Sequence, residues 1–283
     1  MKARNPDNGG MGKFRAACVQ LRSSEDVAGN IQESSRLIRE AAKGGAVFVA
    51  TPENTTLMAA DGGAKLAKSF DEAHDPALPV FTALAKELGL WLLVGSLAIK
   101  VSESKTANRS FLIGPDGAIK TSYSKIHLFD VDLDGGESYR ESASVAGGDA
   151  AVVADTPWGG IGLSICYDVR FPRLYRTLAK QGAFAFTVPS AFTVPTGQAH
   201  WHVLLRARAI ENGAFVIAPA QGGTHLNGRK TYGHSLIVDP WGTVLAEAGT
   251  DPGVIFADID PALSEAVRAQ LPSLKHDRDF AVP

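Results

Sequence analysis

Short apolar runs of strand length alternate along this chain with segments of helical period, and that alternation restricts the fold more than any other feature. Runs at 14–20, 46–51, 91–99, 110–113, 161–166, 184–188, 215–218, 235–238 and 254–257 are rich in Val, Ile, Phe and Leu, and most end on Gly, Pro, Asp or Asn. Such runs predict strands. Between several of them the apolar period lengthens. Val27, Ile31, Ile38 and Ala42 share one helical face, and Gly44 and Gly45 stop that helix. Further helices are expected at 77–88, stopped by Gly89, after Phe171-Pro172 as far as Gly182, and at 199–212, stopped by Gly213.

Alternating strands and helices predict α/β layers. Gly114-Pro115-Asp116-Gly117 and Asp239-Pro240-Trp241-Gly242 each separate two strand-like runs, so both read as hairpins and the sheets should be mixed. About ten strands of ordinary length suggest two packed sheets rather than one open sheet. No repeat and no low-complexity linker divides the chain. Residues 13–283 therefore read as one domain behind a polar, glycine-rich leader at 1–12, expected to be disordered. The longest polar segment, 130–149, has the length of a functional loop.

Composition removes several classes of function. The chain's 28 Lys+Arg against 30 Asp+Glu leave a charge of −2, with no basic cluster of the kind nucleic acid requires. The longest apolar run, 91–99, is broken by Gly95 and Ser96 and is too short to span a bilayer. No apolar secretion signal opens the chain, so a cytoplasmic location is expected, with neither nucleic acid nor membrane as partner. Two cysteines, Cys18 and Cys166, cannot make a disulfide-stapled scaffold or a cysteine-rich zinc site.

The two cysteines differ in position. Cys18 lies inside an apolar run, as a small buried hydrophobe does. Cys166 ends a run and is followed by Tyr167-Asp168-Val169-Arg170-Phe171-Pro172 and a helix. A thiol at such a strand–turn–helix junction meets backbone N–H groups that lower its pKa and can hold an oxyanion. Position alone leaves Cys166 open between nucleophile and buried hydrophobe. A cysteine nucleophile needs a base. His127, His200, His202, His225 and His234 lie near element ends, but no local signature selects one. Glu53 follows an apolar strand and Pro52, where a carboxylate is expensive unless paired or raised in pKa toward a base's range; a helix-capping or solvated acid is the alternative. Lys125 borders an apolar run as either a fixed ammonium or a lysine reaching for water.

Three motifs occur in order: Thr51-Pro52-Glu53; Tyr123-Ser124-Lys125-Ile126-His127-Leu128; and Gly162-Leu163-Ser164-Ile165-Cys166-Tyr167-Asp168-Val169-Arg170-Phe171-Pro172. Together they resemble the nitrilase superfamily of carbon–nitrogen hydrolases. The likeness runs over nearly the whole chain from Phe14, including Thr196-Gly197-Gln198-Ala199-His200-Trp201 and Tyr232-Gly233-His234-Ser235. The resemblance implies a four-layer αββα sandwich, usually a homodimer or larger homo-oligomer. It implies Glu53 as base, Lys125 as the group stabilising the tetrahedral intermediate and Cys166 as the nucleophile forming a thioester, with no metal and no cofactor. The backbone N–H of Tyr167 joins Lys125 in holding the oxyanion. A second glutamate commonly follows the lysine; Glu141 and Glu137 both qualify by position, and the context Tyr139-Arg140-Glu141-Ser142 selects Glu141.

Within the family, Ala220-Gln221 and the stretch Leu204-Leu205-Arg206-Ala207-Arg208-Ala209-Ile210-Glu211 are similar to the small amidases acting on deaminated glutathione and on ω-amides of 2-oxo acids. A nitrilase or N-carbamoyl amidohydrolase is the alternative activity, and a non-catalytic binding protein on the same fold the alternative class. Asn54-Thr55-Thr56 depart from the residues usual after that glutamate. Arg170 or Arg173 could contact a substrate carboxylate. Arg206 and Arg208 read as ion-paired, Trp201 as core or interface, and His127 as a structural or orienting residue.

Overall fold

The structure is a computed structural model that describes residues 12–132 and 138–282. Two mixed sheets lie face to face. In the first the strand order is Gly253–Ile259, Phe14–Gln20, Phe48–Ala50, Trp91–Lys100, Thr106–Ile113, Ile119–Ser124, with Val145–Ala146 added beside Thr106–Ile113. In the second it is Val244–Glu247, Leu236–Val238, Phe215–Ala218, Ala183–Thr187, Gly159–Leu163, Val153–Thr156. Each sheet joins its central strands in parallel and its outer strands antiparallel, except that the short Val145–Ala146 runs parallel to Thr106–Ile113. Both expected hairpins form, Thr106–Ile113 with Ile119–Ser124 and Leu236–Val238 with Val244–Glu247.

Period two explains the layers. Phe14, Ala16 and Cys18 enter the core shared with the second sheet, while Ala17 and Val19 enter the core beneath helices Val27–Lys43 and Ala77–Leu88. Phe48 and Ala50 against Val49, and Leu112 against Phe111 and Ile113, divide in the same way. A strand buried on both faces is apolar at every position, which is why these runs read as continuous. Between the sheets the Phe14 ring stacks on Trp158 at 4.0 Å and meets Phe184 edge-on at 6.4 Å. Helices Pro172–Lys180 and Val194–Asn212 cover the second sheet, completing the four-layer αββα sandwich.

Some expectations change. The helix expected at 199–212 starts earlier, at Val194, because Pro195 suits a first helical turn. Helices Gly62–Ala67 and Pro261–Gln270 were not anticipated. The segment 130–149 is not a plain loop: Asp130–Asp132 pairs with Ser138–Arg140, a 3₁₀ turn spans Glu141–Ala143, and Val145–Ala146 joins the first sheet. Its strands are too short and polar to show alternation. Most of the leader, residues 1–11, and Glu137 lie outside the described residues. Among the described residues no helix is long and apolar enough to cross a membrane.

Candidate active site

Glu53 follows the strand Phe48–Ala50 where the chain passes over Gly95. A Cβ on Gly95 would lie 1.9 Å from the Thr51 carbonyl oxygen, so only glycine admits this approach. Gly95 N donates to Thr51 Oγ1 at 2.9 Å, and Asn54 N donates to Ser96 Oγ at 2.9 Å. Asn54 sits at φ 56°, a left-handed conformation that Asn adopts more readily than most residues. That gives a backbone reason for the departure from the family pattern at this position. Buried Gln221 donates from Nε2 to the carbonyl oxygens of Glu53 and Asn54, both at 3.1 Å. Groups beside both sheets thus fix the backbone that carries Glu53.

Lys125 leaves the end of Ile119–Ser124 and is 2% exposed. Its ammonium donates to Glu53 Oε1 at 2.9 Å and to Glu141 Oε2 at 2.8 Å. Asn108 Nδ2 donates to Glu53 Oε1 at 2.8 Å and to Glu141 Oε1 at 3.3 Å, and the Phe129 N–H donates to Glu141 Oε2 at 2.7 Å. Glu141 therefore belongs to the cluster. The ammonium also lies 3.1 Å from Glu141 Oε1, so it is held by both oxygens of one carboxylate and one of the other.

Cys166 stands at φ 50° in the turn after Gly159–Leu163, a left-handed conformation that costs a side-chain-bearing residue about 1–3 kcal/mol. Surrounding bonds hold it there. Cys166 N donates to Pro189 O at 2.9 Å. Asp168, fully buried, accepts from Ile165 N at 2.9 Å, Tyr123 Oη at 2.7 Å, His127 N at 3.0 Å and His127 Nδ1 at 2.7 Å. This carboxylate ties the cysteine turn to the segment that carries Lys125. His127 also stacks on Phe171 at 3.5 Å, which fits the orienting role.

The thiol does not have the lowered pKa expected at a helix start. Burial pushes it up, and the adjacent Glu53 carboxylate pushes it further; Lys125 and the Ala191 N–H directed at the sulfur pull the other way without prevailing. The turn after Cys166 is 3₁₀, and the α-helix begins only at Pro172, so few aligned amides face the sulfur. Burial would raise the Glu141 carboxyl too, but the charges of Lys125 and Lys65, with hydrogen bonds from Lys125 and the Phe129 N–H, together outweigh it and hold this group at about 2. Lys125 loses by burial and gains more from Glu141, Glu53 and Cys166, so it lies well above an ordinary lysine. Glu141 and Lys125 thus form a permanent ion pair, and Glu53 is the carboxylate turned to the thiol.

Glu53, Lys125, Glu141, Cys166 and Tyr167 all line one cavity of about 530 Å³, within the range of small-molecule sites. No histidine lines it among the described residues, which removes the Cys–His alternative. The Tyr167 N–H has no acceptor among the described residues. Arg170 lines the cavity, whereas Arg173 is exposed outside it. Arg170 lies over the rings of Tyr167 and Phe192 at 5.8 and 5.5 Å. Arg208 pairs with Glu211 at 2.9 Å, but Arg206 donates to the Gly242 carbonyl rather than to an acid. Trp201 is core, with Nε1 donating to His234 O at 2.7 Å. Apart from the cavity, His202 Nε2 and His234 Nδ1 each lie 2.9 Å from Glu247 Oε1, a set satisfied when both rings donate N–H.

Sequence reasoning missed Asn108, Ala191 and Gly95. Asn108 had a faint signal, since Thr106, Asn108 and Ser110 alternate along a strand and are all buried. The other two act through backbone, which carries no residue signature.

Residues 15–269 match the carbon–nitrogen hydrolase family. The chain is 42% identical to the deaminated glutathione amidase of Synechocystis over 94% of this chain and 98% of that one. It is 35% identical to mouse omega-amidase NIT2, covering 95% of this chain and 96% of the relative. Its fold matches Saccharomyces cerevisiae Nit3, a member of branch 10 of the nitrilase superfamily, with a TM-score of 0.82 and 31% identity over 92% of this chain and 94% of that one. The ordered motifs, the two-sheet sandwich and this continuous likeness have one conclusion: the chain belongs to the carbon–nitrogen hydrolase family.

Proposed function

We propose that the protein is a thiol-dependent amidase that hydrolyses the C–N bond of a small carboxylic-acid amide, deaminated glutathione or the ω-amide of a 2-oxo acid. The observation that carries this reading is the convergence of Glu53, Lys125 and Cys166 in one cavity, with Glu141 neutralising the lysine. The relatives' names supply the substrate class.

Burial keeps the resting nucleophile a thiol, so activation occurs during attack. Glu53 accepts the Sγ proton as sulfur bonds to the amide carbonyl carbon. The carbonyl oxygen takes the electron pair, and the Tyr167 N–H and the Lys125 ammonium hold it; one such donor is typically worth about 10²–10³ in rate. As the tetrahedral intermediate collapses, protonated Glu53 gives its proton to the departing nitrogen, the C–N bond breaks and a thioester remains. Water then gives a proton to Glu53 and bonds to the thioester carbon. The C–S bond breaks, the proton returns to sulfur, and the acid leaves. Glu141 keeps Lys125 in place and compensates its charge.

The reading extends to a cytoplasmic homodimer or larger homo-oligomer. Val203 and Ile210, seven positions apart on one helix face, are 67% and 49% exposed, and Trp241 follows at 55% beside the Ile210 contact of Gly242. An exposed apolar strip of this kind suits a self-association surface. Release of ammonia or amine from a panel of ω-amides, nitriles and N-carbamoyl acids tests the activity. The acid amides should rank first in kcat/KM; a folded protein that releases nothing from any of them overturns the reading, and preference for nitriles or carbamoyl compounds moves it to another branch.

A further inference from the structure

Four cations that the proposed chemistry does not use line the cavity, Lys65, Arg140, Arg170 and Arg229, and two of them stand apart. Lys65 projects from helix Gly62–Ala67, and Arg229 from the turn between Gly222–Thr224 and Lys230–Tyr232; both line the cavity that contains Cys166. Lys125 has two carboxylate partners, Arg140 has Asp132 and Arg109 has Glu72. Among the described residues no carboxylate lies within ion-pairing distance of Lys65 or Arg229. The Arg229 guanidinium rests over the Tyr139 ring at 5.7 Å, and its Nε is buried without a hydrogen-bond partner among the described residues. Arg170 is differently placed, with both terminal nitrogens 3.3 Å from His200 Nδ1.

Two like charges facing one partly desolvated space are costly to keep without an anion. Burial lowers the Lys65 pKa; Glu141 and Glu53 oppose this, and Arg229 and Lys125 add to it. An anion bound between Lys65 and Arg229 reverses that balance. A carboxylate is suitable because a guanidinium supplies several N–H donors in one plane, and an ammonium adds a point charge.

We propose that Lys65 and Arg229 form the carboxylate subsite of this enzyme, holding a free carboxylate of the substrate while its amide carbonyl lies at Cys166. This makes the preferred substrate the monoamide of a short dicarboxylic acid. It gives the specificity to Lys65 and Arg229 rather than to the arginines after the cysteine. The proposal rests on the amidase reading above for its kinetics, but not for its binding.

Binding is read by calorimetry, titrating glutarate and the neutral diamide glutaramide into the Cys166→Ala protein. Glutarate should bind at least about tenfold more tightly than glutaramide, and Lys65→Met or Arg229→Gln in that background should remove the difference. Kinetics are read as kcat/KM for glutaramate against butyramide. Lys65→Met should lower the acid-amide value by about 10- to 100-fold more than the neutral-amide value, chiefly through KM, and Lys65→Arg should restore most of it. Equal binding of glutarate and glutaramide, or variants that lower both amides alike, overturns the subsite even if amides are cleaved. Lys65-dependent glutarate binding without amide cleavage sustains the subsite and overturns the amidase reading instead.

Discussion

Cys18 and Cys166 are both buried, and burial raises both thiols well above an ordinary cysteine. Their difference lies elsewhere. Cys18 sits in the regular strand Phe14–Gln20 between the sheets, with the Ala218 N–H as its polar neighbour. Cys166 is bent into a left-handed turn at φ 50°, lines a cavity, and faces Glu53, Lys125 and the Ala191 N–H. Depth of burial therefore does not separate the two thiols, and under the proposed function it does not mark the nucleophile. Backbone geometry, a carboxylate within reach and an adjoining cavity distinguish Cys166 from Cys18.

The largest test of that contrast is the pair of alanine variants. Cys166→Ala should lower kcat/KM for an amide by at least about 10⁴-fold, as removal of a nucleophile typically does. Cys18→Ala should leave it within about twofold and cost only about 1 kcal/mol of stability in urea unfolding. Loss of activity in both would break the distinction. Next is the base. Glu53→Gln should slow turnover by about 10²–10⁴-fold and slow iodoacetamide alkylation of Cys166, with no effect at Cys18. Faster alkylation would show that the carboxylate suppresses the thiol more than it activates it.

Two further predictions concern what surrounds Cys166 and has no counterpart around Cys18. Asp168→Ala strands four donors, so it should destabilise the fold by about 3 kcal/mol, measured by chemical denaturation. A change under about 0.5 kcal/mol would mean that the cysteine turn holds without it. Glu141 is ionised down to about 2 in the folded protein against 4.5 for a free side chain. Its contribution is therefore present above about pH 4.5, is lost as the pH falls toward 2, and is on the order of 3 kcal/mol. Unfolding followed from pH 6 to pH 3 should show the wild type losing part of this stability while Glu141→Gln loses less. Parallel curves would contradict the Lys125–Glu141 pairing.

What the chain discloses before folding follows from how local each signal is. Strands such as Phe48–Ala50 announce themselves because both faces are buried and every position is apolar; Phe14–Gln20 is apolar from Ala16 to Val19, with an exposed Arg15 and a buried Gln20. Glu53, Lys125 and Cys166 are each ambiguous alone and become legible only as three motifs in order, with Glu141 selected from the context that follows the lysine. The partners that make them work are another matter. Asn108 reaches Glu53 and Glu141 across 55 and 33 positions. Gln221 reaches the Glu53 carbonyl across 168. Gly95 is needed only because another strand's backbone crosses it. The direction of the thiol's pKa was misjudged for the same reason: a strand–turn–helix pattern reports nearby amides but not the carboxylate and apolar walls brought in from elsewhere.

The most direct measurement is intact and peptide mass analysis of the protein quenched during turnover of a slow acid amide. The chemistry above predicts an acyl group, the substrate less its amine, on the peptide containing Cys166, absent from the peptide containing Cys18 and absent in Cys166→Ala. Turnover that persists in Cys166→Ala, or an acyl group recovered on any other residue, would contradict it.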